Sequence, residues 1–212
     1  MKKILFLGDS LTDMWRNRER NMEVASNYGT GYVFDITGQL MYENPGEYQV
    51  INQGISGNKI TDLYSRYKKD VIEEKPDVLT ILIGVNDVWH GLTDPSLTTP
   101  LKTFEELYLK IIADVKSQLP SIKIFLMEPF FIHGVATDPF FEQFKDVYKY
   151  ASIVKEVAKK TNSVFVPLQA SFDKHSKGAE EQFLYDGVHT NPAGAYLIAQ
   201  EWLKAFNNLH VR

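Results

Sequence analysis

At 212 residues, with 44% hydrophobic and 24% charged side chains and a net charge of −4, the chain has a globular makeup and the length of one domain, 1–212. It has no cysteine, which excludes disulfides, zinc–thiolate sites, iron–sulfur clusters and cysteine nucleophiles. Its 23 Lys and Arg and 27 Asp and Glu are interspersed, so no basic stripe offers itself to nucleic acid. Short apolar runs then alternate with segments of helical period, the pattern of a parallel sheet covered by helices on both faces. The runs are Lys3–Leu7, Tyr48–Asn52, Val78–Ile83, Lys123–Met127 and Val164–Val166. Most lack polar alternation, as strands buried on both faces should. Helices are expected at Gly31–Tyr42, Ile60–Glu74, Phe104–Gln118, Phe140–Lys160 and Pro192–Asn207, the last opened by Asn191-Pro192. Pro76 and Pro120 end the helices before two of the strands.

Two stretches, Thr12–Thr30 and Val88–Pro100, read as surface loops. The first carries Trp15, Arg16, Arg18 and Arg20, residue types that suit a solvated rim or a substrate contact. The four apolar residues Ile4–Leu7 are too few for a secretory signal, and no stretch is long enough to span a bilayer. The expectation is a cytoplasmic protein that binds neither membrane nor nucleic acid.

Residues with chemical potential cluster where strands end. Ser10 in Gly8-Asp9-Ser10-Leu11 follows the first run, at the edge where open α/β sheets bind ligands. Asp186-Gly187-Val188-His189 offers a carboxylate that can orient an imidazole, leaving the ring's other nitrogen to accept a serine proton. Asn86, in Gly84-Val85-Asn86-Asp87 after the third run, can aim an amide at a developing oxyanion. Gly54, in Asn52-Gln53-Gly54-Ile55-Ser56-Gly57, can present a bare backbone N–H to the same spot. Taken singly, each block reads equally well as a cap or a turn.

Together and in this order, the four blocks resemble those of the SGNH hydrolase superfamily, the GDSL-type esterases and lipases. The resemblance runs from Ile4 to about Leu203. It implies a flavodoxin-like three-layer α/β/α sandwich with a five-stranded parallel sheet in the order 2-1-3-4-5. It also implies a triad of Ser10, Asp186 and His189, and an oxyanion hole from the N–H groups of Ser10 and Gly54 and the amide of Asn86. No metal or organic cofactor is required.

Trp15, His90 and Phe130 are candidate substrate contacts, and Trp15 and Phe130 could form an apolar wall with Trp89, Phe131, Phe140 and Phe141. The expected partner is a small-molecule ester with a small acyl group, such as an acetylated sugar. Lysophospholipid or thioester hydrolysis is the alternative, and a non-catalytic binding module is a reading from another class. A nucleotide site has no GxGxxG or Walker pattern to support it. Asp9, Asp13 and Asp87 are expected to organise loops through backbone hydrogen bonds, and His133 to be structural or exposed. A homo-oligomer is left open.

Overall fold

The computed structural model describes residues 1–19 and 24–210. Five parallel strands, β1 (Lys2–Gly8), β2 (Tyr48–Gly54), β3 (Val78–Leu82), β4 (Lys123–Met127) and β5 (Val164–Val166), form one sheet in the order β2-β1-β3-β4-β5, as expected. The central strands are covered on both faces, which is why their sequences read as largely apolar runs. The two-residue period of the strands sorts their side chains into two cores. Leu5, Leu7, Leu79, Ile81, Ile124 and Leu126 face one way, and Ile4, Phe6, Val78, Leu82, Phe125 and Met127 face the other.

The first core is closed by α3 (Ile60–Tyr67), α5 (Leu101–Gln118) and α7 (Val147–Lys160), and the second by α2 (Tyr32–Glu43) and α10 (Pro192–His210). Thr80 is the fully buried polar side chain of the central strands. Its hydroxyl accepts the indole N–H of the buried Trp202 at 2.8 Å, so α10 is keyed to β3 by a satisfied polar pair.

Several boundaries differ from expectation, for local reasons. The expected Phe140–Lys160 helix is interrupted. A short α6 (Phe141–Phe144) packs Phe141 and Phe144 against Phe131, and α7 restarts at Val147. The Ile60–Glu74 segment leaves α geometry after Tyr67 and continues as a π-helical turn, Lys68–Ile72. Four further short helices, α1 (Ser10–Asp13), α4 (Val85–Trp89), α8 (Gln169–His175) and α9 (Glu180–Phe183), show no periodic signal, since none exceeds two turns. The Thr12–Thr30 stretch thus begins inside α1 and ends near a 3₁₀ turn at Ala25–Tyr28; Arg20 lies outside the described residues. Among the described residues no helix is long and apolar enough to cross a membrane.

The register brings the site together. Gly8 pairs with Gly54 on one side and Leu82 on the other, so β1, β2 and β3 end level. Ser10, the 55–58 turn and Asn86 each come just after one of these strands, and all three therefore emerge on one edge of the sheet.

Candidate active site

Ser10 opens α1, whose first turn is capped by Asp9. The Asp9 carboxylate accepts the Leu11 N–H at 3.0 Å, while none of the described hydrogen bonds engages the Ser10 N–H. Asp186 and His189 arrive from the far end of the chain on a tight loop closed by a bridge between Leu184 and Thr190. That loop is pinned from behind: Ile132 N–H donates to the Gly187 carbonyl and Ala136 N–H to the Asp186 carbonyl, each at 2.9 Å. Gly187 has φ +100°, and a Cβ there would lie 2.3 Å from Thr137 Oγ1, so both backbone angle and space demand glycine.

Ser10 Oγ lies 2.8 Å from His189 Nε2, and His189 Nδ1 lies 2.7 Å from Asp186 Oδ2. The other Asp186 oxygen accepts the N–H groups of Val188 at 2.9 Å and His189 at 2.8 Å. Burial pushes Asp186 upward, but the hydrogen bonds from His189 and Val188 outweigh it and hold the carboxyl below its ordinary value. Burial likewise pushes His189 down. The hydrogen bond and charge of Asp186, with a smaller contribution from Asp9, hold the imidazole above its ordinary value. The serine thus faces a base whose ring is oriented and whose cation is stabilised.

The pair opens into a cavity of about 400 Å³. Ser56, Gly57, Asn86 and His90 contribute polar groups to its lining, while Met14, Trp15, Trp89 and Tyr185 contribute apolar surface. Trp15 is 74% exposed and held at φ +57°; Tyr185 lies nearly parallel to the His189 ring, with centroids 5.7 Å apart. Among the expected substrate contacts, Trp15 and His90 reach this cavity. Phe130 does not: it is fully buried in the second core, where its ring stacks on Phe172 at 4.2 Å. Phe131 is also buried, and His133 is exposed, bound to Asp138 at 2.7 Å and stacked on Phe141.

Gly54 also departs from expectation. Its N–H donates to Asn52 Oδ1 at 2.8 Å, and the residue is packed so closely under α1 that a Cβ would lie 2.1 Å from Asp13 N. It is the point where β2 passes beneath the serine helix; its N–H is engaged by Asn52 and it does not line the cavity. The glycine that reaches the cavity is Gly57, at φ +82°, with an N–H that none of the described hydrogen bonds uses. Asn86 Nδ2 donates to the Asn58 carbonyl at 3.1 Å, and an amide nitrogen has a second hydrogen to offer.

The three neighbouring aspartates do act on the backbone. Asp13 accepts Ser56 N–H at 3.0 Å and its hydroxyl at 3.1 Å, Asp87 accepts Ile60 N–H at 3.3 Å, and Asp9 caps α1. Asp9 and Asp87 are each pushed up to about 7, foremost by burial. Among the described residues no group of three or more His, Asp or Glu side chains is arranged to hold a metal ion.

Comparison with known proteins places this geometry. A family model for GDSL-like lipases and acylhydrolases matches residues 6–197. An acetylxylan esterase of Geobacillus stearothermophilus is 37% identical over 207 residues, covering 96% of this chain and 93% of that protein. Its crystal structure superposes with a TM-score of 0.84 at 35% identity, covering 96% of this chain and 93% of that one. Structures of that enzyme also match in which a serine, an aspartate or a histidine, each described as catalytic, is replaced by alanine. A protein of Parabacteroides merdae described as a GDSL-like lipase superposes with a TM-score of 0.88 at 35% identity, covering 96% and 94% of the two chains. With a family match across nearly its whole length and a relative above one-third identity, the chain belongs to the GDSL-like lipase/acylhydrolase family and is an ester-bond hydrolase.

Proposed function

We propose that the protein is a serine esterase removing acetyl and other small acyl groups from carbohydrate hydroxyls. The observation that carries this reading is the Ser10–His189–Asp186 relay, with spacings of 2.8 and 2.7 Å, opening into a cavity that mixes aromatic and hydrogen-bonding walls. A sugar has that same double character, with C–H faces that pack on rings and a rim of hydroxyls. Trp15 and Tyr185 supply the ring surfaces, and Ser56 and His90 the polar partners. Burial foremost, with the charge of Lys59, holds His90 below its ordinary value, so at neutral pH it meets a hydroxyl as a neutral donor and acceptor. The relative described as an acetyl-xylooligosaccharide esterase adds support for this substrate class.

Ser10 Oγ attacks the ester carbonyl as its proton passes to His189 Nε2. Asp186 steadies the imidazolium. The tetrahedral oxyanion lies among the N–H groups of Ser10 and Gly57 and the free hydrogen of Asn86 Nδ2; removing one such donor typically costs about 2.7–4 kcal/mol in the transition state. His189 returns the proton to the leaving alcohol, then activates a water that releases the acid from Ser10.

The test is hydrolysis of p-nitrophenyl esters from acetate to palmitate, together with acetylated xylo-oligosaccharides, by wild type and Ser10→Ala. The expected result is serine-dependent turnover greatest on acetate, with acetate released from the oligosaccharides. A maximum on long chains would overturn the substrate assignment in favour of a lipid or thioester hydrolase, and turnover retained in Ser10→Ala would overturn the mechanism.

A further inference from the structure

An oxyanion hole works by holding its donors still, because donors that must reorganise during the reaction lose most of their advantage. Here the nucleophile, Gly57 and Asn86 hang on the ends of three different strands. One side chain outside the cavity lining is bonded to two of those ends and to the turn between them. Arg66, on α3, donates from Nη2 to the Gly8 carbonyl at 3.0 Å, at the end of β1, and from Nη1 to the Gln53 carbonyl at 2.9 Å, near the end of β2. Its Nε donates to Asn58 Oδ1 at 2.8 Å, and the Asn58 carbonyl in turn receives Asn86 Nδ2 at 3.1 Å. Asp70, four residues on in the π-helical turn, accepts from Nη1 and fixes the guanidinium's plane.

The ladder already pairs Leu7 with Gln53 and Gly8 with Gly54, so the strand ends need no extra tie. The turn beyond them does: among the described residues, the hydrogen bond that holds Asn58 besides those of Arg66 and Asn86 is a turn bond from its N–H to the Ile55 carbonyl at 3.2 Å. Only a planar fork can reach two carbonyls, an amide oxygen and a carboxylate at once; a lysine ammonium has three donors around one point.

We infer that Arg66 is a positioning residue for the oxyanion hole, holding Asn58 so that the Gly57 N–H and the Asn86 amide stay aimed at the carbonyl attacked by Ser10. The inference rests on the proposed roles of Gly57 and Asn86.

The test compares Arg66→Lys, Asn58→Ala, Asn86→Ala and the double variant Asn58→Ala/Asn86→Ala on p-nitrophenyl acetate, reading kcat, KM, the pH profile and inhibition by a trifluoromethyl ketone that forms a tetrahedral adduct. Arg66→Lys and Asn58→Ala should each lower kcat about tenfold with KM changed less than about twofold, the pattern of a lost transition-state interaction. Inhibitor affinity should fall in proportion, while the acid limb set by His189 stays in place. The double variant should fall clearly less than the product of the two single losses, since Asn58 acts in part through Asn86 and in part through the Gly57 N–H of the same donor set.

Asn58→Ala leaves the bonds of Arg66 to β1 and β2 in place, so it decides the matter if Arg66→Lys fails to fold. A kcat within twofold of wild type in the folded variants, a change confined to KM, or losses that multiply fully in the double variant would overturn the inference. If Asn86→Ala lowers kcat and the other two do not, the inference alone falls; if Asn86→Ala is itself fully active, the oxyanion reading falls and takes it along.

Discussion

Ser10 Oγ and His189 Nε2 stand 2.8 Å apart although 179 residues separate them in the chain. The contact joins a central strand end to a loop braced by Ile132 and Ala136, so the base is held against the nucleophile by backbone on both sides. Its protonation should govern the rate. Because Asp186 and Asp9 hold the imidazole above its ordinary 6.5, kcat/KM should rise with pH through an acid limb lying above that value. Asp186→Asn removes the largest upward influence, so the limb should move to lower pH while the rate drops about 10⁴-fold. A pH–rate profile of both proteins checks this, and an unmoved limb would show that another group sets it.

Gly54 and Gly57 should respond in opposite ways to alanine. At Gly54 the added Cβ would meet Asp13 N at 2.1 Å, an overpacking that typically costs about 1–3 kcal/mol or more and should appear as a lowered Tm. At Gly57 nothing lies within 4 Å of the added Cβ, and the cost is the positive φ, about 1–2 kcal/mol. Gly57→Ala should therefore fold and lose kcat, because its backbone must shift to relieve that angle. Thermal melts beside acetate-ester kinetics separate the two.

Trp15 and Phe130 should separate along the same axes. Trp15→Ala removes a mostly exposed ring, so stability should change by no more than about 0.5 kcal/mol. Its kcat/KM on acetylated oligosaccharides should fall roughly tenfold, about 1.4 kcal/mol. Phe130→Ala empties a core position stacked on Phe172 and should cost about 3–5 kcal/mol of stability. Turnover per folded molecule should be little changed. Denaturant titration and steady-state kinetics on both variants check the pair.

Asp87 makes stability depend on pH. Burial foremost holds its folded-state carboxyl at about 7, against about 3.9 for an unfolded aspartate, so between those values the folded chain binds a proton that the unfolded chain does not. The resulting stabilisation is complete below the unfolded pKa and is lost as pH rises through about 7. Asp87→Asn keeps an oxygen for the Ile60 N–H and removes the titration. Its Tm should fall less than that of wild type between pH 5 and pH 7.5, with Asp9 and His189 still titrating in both proteins. Parallel melting curves would contradict this account.

How much of the site could be read from the chain depended on what each residue contributes. In the proposed mechanism Ser10, Asn86, Asp186 and His189 act through side chains whose chemistry is visible in their letters, and the strands that precede Ser10 and Asn86 announce themselves by being apolar on both faces. Gly54 and Gly57 act through backbone, and nothing in a glycine says which way its N–H points. The one signal was Asn52, two residues before Gly54, a spacing at which an asparagine oxygen commonly takes the N–H of residue i+2. Tyr185 was missed although it precedes Asp186, because its ring is brought over His189 by the Leu184–Thr190 bridge, a tertiary feature. Phe130 carried the opposite error: an aromatic just past a strand end faces the cavity or the core according to packing that its neighbours in sequence do not reveal.

The most direct test of the serine mechanism is covalent labelling by a fluorophosphonate, followed by peptide mapping, on wild type, Ser10→Ala and His189→Ala. The predicted result is one adduct on Ser10 in the wild type, none in Ser10→Ala and greatly slowed labelling in His189→Ala. Ester turnover should fall in step, on the order of 10⁶-fold for either variant. An adduct on another residue, or full turnover in Ser10→Ala, would contradict it.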